Sequence, residues 1–177
     1  MPDGPAIRLA NLRHYLLDRP DADVLAVGEA AGYQGMRWSG IAFTSERDMA
    51  RWGPPYRPTS TNRPRGWSEP SGTIVHGLLE ELGVEQRVIL WNTVPGHPFI
   101  ASRPLSNRRP TSGEIQQGLV LLERLIRILE PETLVAVGRI AETILAGRGA
   151  VYVRHPAQSG ATAFRTGMRA YLVRAGR

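Results

Sequence analysis

The sequence predicts an α/β fold of three layers, α/β/α, around a central, mainly parallel four-stranded sheet. Four short, almost wholly apolar runs carry this expectation: "DVLAVG", "RVILWN", "TLVAVG" and "AVYVRHP". Runs of this length bounded by turn residues read as buried strands, and segments with helical spacing lie between them. Strands alternating with helices form parallel sheets covered on both faces. With 177 residues, the chain fits one domain, 1–177, large enough for a full core without disulfides.

The elements follow in order. Ile7, Leu9, Leu12, Tyr15 and Leu16 fall near helical spacing, so residues 7–17 form an N-terminal helix. The first strand ends on Gly28, and "GEAAGYQGMRWSGIAFTSE" follows, too rich in glycine to be a regular helix. A proline- and arginine-rich loop then runs to Trp67, longer than a plain connector needs, which favours a functional role. Ser71 caps a helix over "GTIVHGLLEEL", and the second strand ends on Asn92. After the loop "TVPGHPFIASRPLSNRRP", the stretch "TSGE" from Thr111 has the form of a capping box and opens a helix to Leu129. The third strand, the helix "RIAETILAG", the fourth strand and a last helix over 161–173 complete the chain.

Composition excludes several chemistries. There is no cysteine, so disulfides, thiolate zinc and cysteine-ligated iron–sulfur clusters are out. All 22 basic residues are arginine, so no lysine amine is available for a Schiff base or for a Walker-type phosphate loop. His14, His76, His97 and His155 have no paired helical spacing, and neither Ser39 nor Ser159 has a nucleophile-elbow frame. No metal and no organic cofactor is expected. No apolar run reaches the roughly 18 residues that span a bilayer, and the N-terminus has no basic region followed by an apolar stretch. A soluble, cytoplasmic monomer without a membrane partner is therefore expected.

The net charge of +6 is unevenly spread. Residues 143–177 hold six arginines and no acid, and residues 51–65 hold four and none. Arginine forks suit phosphate, and the paired Arg108 and Arg109 add to this basic character. In parallel sheets, ligands bind beyond the carboxyl ends of the strands. Those ends carry "GEAAG", "NTVPGHP", "GR" and "RHPAQSG". His97 and His155 each precede a proline, which holds its predecessor extended and can aim an imidazole.

In this order, "VGEAAGYQGMRWSGIAFTSE", "LWNTVPGHP" and "VRHPAQSG" resemble the first motif, the base-recognition strand and the second motif of the uracil-DNA glycosylase superfamily. The resemblance runs from Val24 to about Met168 and implies one domain of that fold. It implies a monofunctional DNA glycosylase that extrudes uracil or a related deaminated base, such as hypoxanthine or xanthine, and cleaves its glycosidic bond with water. Phe43 then stands where the family stacks a ring on the base, and Asn92 where an amide reads its edge. Gly28 and Gly32 let the backbone approach.

His155 matches the histidine placed near the base oxygen that gains negative charge. Gln158, Ser159 and Gly160 form the loop that presses into DNA, with backbone amides suited to phosphate, and Arg165 follows in the same DNA-facing set. Glu29 and Glu46 are both candidates to orient water, because the aspartate of one branch is replaced here by Ala30. Ala31 replaces the motif's usual proline, and the lack of cysteine excludes the iron–sulfur branch. Two alternatives remain open at this point: a catalytically weak binder of damaged DNA, and a hydrolase or transferase acting on free nucleotides.

Overall fold

A computed structural model describes residues 3–61 and 63–173. At its centre lie four strands, β1 (Val24–Ala30), β2 (Val88–Val94), β3 (Thr133–Val137) and β4 (Val151–Val153). They form one sheet in the order β2-β1-β3-β4, and every pairing is parallel. All of β2 is buried, as are Val24–Gly28 of β1. Because successive side chains point to opposite faces, a wholly buried strand requires cover on both sides. The three-layer expectation follows from that burial.

Among the described residues seven α-helices surround the strands in sequence: α1 (Gly4–Leu17), α2 (Met36–Ser39), α3 (Glu46–Trp52), α4 (Pro70–Leu82), α5 (Ser112–Leu129), α6 (Arg139–Ile144) and α7 (Ala161–Leu172). Tyr15 of α1 is tied to the outer strand β2, where its hydroxyl accepts from Leu90 N at 2.9 Å and donates to Val88 O at 3.3 Å. A fully buried phenol needs such partners, and here they also occupy backbone groups of an edge strand.

Two helix starts differ from the sequence expectation. Ser71 is not the cap of α4: the helix begins at Pro70 with Glu69 at the N-cap, and no side chain makes a capping bond there. Proline at the first helical position needs no amide partner, so the helix starts without a serine cap. The segment after Thr44 also forms a helix, α3, through a reciprocal box between Ser45 and Asp48. By contrast, the Thr111 and Glu114 box opens α5 as the sequence indicates.

The strand order places β1 between β2 and β3, so the chain leaves β1 toward one side and returns on the other. Such a reversal opens a crevice beyond the carboxyl ends of the strands. Gly28 sits in register with Asn92 at this end of the sheet.

Candidate active site

A cleft of about 660 Å³ occupies that crevice. Its walls come from the ends of β1, β2 and β3, the turn after β4, and the loop that follows β2. Glu29, Gly32, Phe43, Asn92, His155 and Gln158 all line it, although they are spread over more than half the chain. Arg108 and Arg109 reach it from the loop after β2.

Gly28 explains how the floor is built. A Cβ there would stand 2.6 Å from Asn92 Oδ1 and 2.6 Å from Phe43 Cζ, so only glycine lets ring and amide close over the strand. Phe43 itself has φ 51°, a left-handed backbone that costs a non-glycine residue about 1–3 kcal/mol and clusters at functional sites. Phe43 is 5% exposed and belongs to the core, so it serves packing and cavity wall together. Asn92 is 4% exposed, and its amide nitrogen lies 3.4 Å from Met36 Sδ. A thioether is a weak acceptor, so this contact leaves most of the amide's hydrogen-bonding capacity for a ligand.

His155 faces Phe43 with ring centroids 5.9 Å apart. Its Nδ1 accepts the backbone N–H of Ala157 at 3.1 Å, which places the ring proton on Nε2. Burial and then the neighbouring Arg154 push its pKa below the ordinary histidine value, so the ring is neutral at pH 7. Gly138, at φ 93°, passes close enough that a Cβ would lie 3.2 Å from His155 Cβ. The imidazole is thus fixed as a neutral donor at the cleft wall.

The turn after His155 is strained. Gln158 and Ser159 both adopt left-handed backbone, with φ 53° and 61°, and both are exposed at the rim. The Gly160 amide expected to meet phosphate is already used, since it donates to Ala157 O at 3.0 Å. Gly160 is required for another reason: a Cβ would meet His155 O at 2.0 Å.

The two nominated carboxylates part company. Glu29 lies at the cleft, where burial raises its pKa and Arg109 opposes that rise. Glu46 is not among the cleft residues. Its Oε1 accepts from Thr59 N at 2.8 Å and Ser60 N at 2.7 Å, and its Oε2 from Trp67 N at 3.0 Å and the Ser60 hydroxyl. It is 3% exposed and holds the 53–68 loop in place. The structure brings Glu29, and not Glu46, to the cavity.

The arginines also divide. Arg108 forms a fork with both oxygens of Glu114, each at 2.8 Å, and thereby ties the loop to the start of α5. Arg165 is drawn with Arg169 onto Glu81 of α4, away from the cleft lining. Arg148 pairs with Glu123 at 2.8 Å, and Arg174 and Arg177 lie outside the described residues. Arg109 forms no ion pair among the described residues, and Arg154 stands with it at the cleft. His97 is a loop staple: its Nε2 contacts Ser106 O at 2.8 Å and Asn107 Oδ1 at 3.2 Å.

Sequence reasoning missed Glu69 and Asn107 as cleft residues, and gave Arg139 and Arg154 no role of their own although both lie in the strand-end segments "GR" and "RHPAQSG". An acid directly before a helix-opening proline reads as helix punctuation, so nothing in "SEPSG" marked Glu69 as facing a cavity. Among the described residues, no group of three or more histidine, aspartate or glutamate side chains is placed to hold a metal ion. No described helix is long and apolar enough to cross a membrane.

A family model described as the uracil DNA glycosylase superfamily matches residues 15–174, a span that contains every cleft residue named above. No curated protein matches the chain.

Proposed function

The chain belongs to the uracil DNA glycosylase superfamily, and from that membership we propose that it is a monofunctional DNA glycosylase releasing uracil or a related deaminated base from DNA. The observation that carries this reading is the convergence of a ring, an amide, a neutral imidazole and a carboxylate, Phe43, Asn92, His155 and Glu29, on one cleft at the carboxyl edge of the sheet.

Each group has a task that its chemistry suits. Phe43 stacks on the extruded base, a contact worth about 1–3 kcal/mol that does not depend on base identity. The Asn92 amide offers a donor and an acceptor side by side, matching a carbonyl and the adjacent ring N–H of uracil. As the glycosidic bond breaks, its electrons pass to the base, and negative charge grows on the carbonyl oxygens. The Nε2–H of His155 donates to one of them, stabilising the leaving group without giving up its proton. Water adds to C1′ of the deoxyribose, and Glu29 orients it and accepts its proton. The products are an abasic site and the free base, which is reprotonated from solvent.

Arg109, Arg154 and the exposed Gln158–Ser159 turn surround the opening and supply DNA contacts. With no lysine in the chain, water rather than a side-chain amine is the nucleophile. The test uses single- and double-stranded oligonucleotides carrying uracil, hypoxanthine or xanthine, incubated with protein and then cleaved with alkali at abasic sites. Strand cleavage above background on at least one of them is expected. Salt-sensitive binding to lesion DNA with no base release on any substrate would instead favour a damage-recognition protein, a reading to which Ala30 lends some weight.

A further inference from the structure

Glu69 takes no part in the mechanism above, yet its surroundings are those of a working group. It is the last residue of the 53–69 segment, which Glu46 fastens through Thr59, Ser60 and Trp67. The residue is only partly buried as a whole, but its carboxyl Oε2 is enclosed and has no hydrogen-bond partner. The β1–α2 turn leaves room for it. A Cβ on Gly35 would fall 1.7 Å from Oε2, whereas one on Gly32 would make only an ordinary contact with Oε1 at 3.4 Å. The same side chain lines the cleft that holds Glu29, Asn92 and His155.

An unpartnered buried carboxylate is costly, and the cost falls when the group takes up a proton. The titratable and charged groups around Glu69 add little to hold it ionised. Asp48 of α3 repels it, and Glu29 of β1 shares the cleft. The cations at the cleft are Arg108, Arg109, Arg139 and Arg154, with neutral His155. Of these, Arg108 is committed to Glu114 and Arg139 to Glu142, Arg109 acts on Glu29, and Arg154 lies toward the Gln158 carbonyl and His155. Burial, and then Asp48, raise the Glu69 pKa to about 7.

We infer that Glu69 is a base-contacting residue that works as a neutral carboxylic acid, donating its O–H to a carbonyl oxygen or ring nitrogen of the extruded base. Two carboxyls in one cleft then divide the work. Glu29, opposite Arg109, is the proton acceptor for water, and Glu69 is the donor to the base. Burial raises both, but Arg109 opposes the rise at Glu29 whereas Asp48 adds to it at Glu69, and unlike surroundings of this kind suit separate roles. The inference rests on the base-pocket reading of the cleft, and it adds a contact that none of the three sequence motifs contains.

The experiment measures affinity, not turnover. A duplex carrying 2′-fluoro-2′-deoxyuridine, whose glycosidic bond resists cleavage, is titrated with wild-type protein, Glu69→Gln and Glu69→Ala between about pH 6 and pH 8.5. Each value is divided by the affinity for the same duplex without the lesion, which cancels general phosphate attraction. Loss of one donated hydrogen bond corresponds to about tenfold in affinity. The wild-type preference is expected to fall about tenfold as pH rises through 7.

Glu69→Gln keeps an amide donor at every pH and should show a flat profile. Glu69→Ala should be flat as well, at the low level. Circular dichroism of both variants establishes that they are folded. A wild-type profile unchanged by either substitution overturns the role of Glu69 while leaving the pocket intact. Absence of any lesion preference in wild type at all pH values overturns the base pocket itself, and the Glu69 contact with it.

Discussion

Replacing Glu46 tests whether its carboxylate fastens the loop or takes part in the proposed chemistry. Its two oxygens receive three backbone amides, from Thr59, Ser60 and Trp67, together with the Ser60 hydroxyl, in a site where the residue is 3% exposed. A buried donor left without a partner costs about 1–3 kcal/mol. Glu46→Ala strands all three amides, and partial entry of water leaves a net loss of roughly 3 kcal/mol or more. Glu46→Gln keeps one acceptor oxygen for Thr59 and Ser60 but turns an NH₂ toward Trp67 N, so a single mismatch costs about 1–2 kcal/mol.

Urea unfolding followed by tryptophan fluorescence reads these losses, with the alanine midpoint lowered by about 1 M or more and the slope unchanged. Base release by the folded fraction should fall only as far as Glu69 and the loop are displaced. An undiminished urea midpoint together with a loss of base release of about a hundredfold or more, some 2.7 kcal/mol, would refute the loop-fastening role and return Glu46 to the chemistry.

Other perturbations address the cleft and its protons. Gly28→Ala drives a methyl to 2.6 Å from Asn92 Oδ1 and Phe43 Cζ, so overpacking of about 1–3 kcal/mol in urea unfolding is expected. Displacement of the ring should lower base release about tenfold to a hundredfold by the lost stacking. Arg109→Gln removes the cation that opposes the burial-raised pKa of Glu29; the acid limb of the pH–rate profile should then move to higher pH, because the carboxylate form is lost sooner as pH falls. His76 is buried against Thr44, with Oγ1 to Nε2 at 3.0 Å, and burial lowers its pKa to about 4.

Between pH 6.5 and about 4 the unfolded chain therefore binds a proton that the folded ring refuses, so stability falls as pH drops across that window. Glu69 has the opposite sign: its folded pKa is raised from 4.5 to about 7, so its contribution falls as pH rises across that range. Urea midpoints of His76→Gln and Glu69→Gln against wild type at several pH values should separate the two, with the histidine variant less acid-sensitive and the glutamate variant less sensitive between pH 5 and pH 7.5.

The sheet was legible because apolar runs such as "VLAV" and "VILW" have no polar alternation, and wholly buried strands require none. Strand ends were legible for the same reason, since Gly28, Asn92 and Arg154 each break an apolar run, and they and His155 line or floor the cleft. The roles of acids were much less so. Glu46 and Glu69 are both glutamates near helix starts, and only the path of the 53–69 loop decides which faces the cavity. Arg108 and Arg165 look alike in sequence as free cations, while Glu114 and Glu81 claim them through contacts that composition does not reveal. Nor does any local signal give the left-handed backbone of Phe43, because tertiary packing holds it there.

Release of uracil from a duplex containing one such base, under single-turnover conditions, tests the base pocket most directly when wild type is run beside Asn92→Ala. Wild type should leave an alkali-labile site. The alanine variant, folded by circular dichroism, should release base about a hundredfold more slowly, a loss of roughly 2.7 kcal/mol in transition-state stabilisation. Equal release by the two proteins would contradict the assignment of Asn92 and of the cleft around it as the base-reading site.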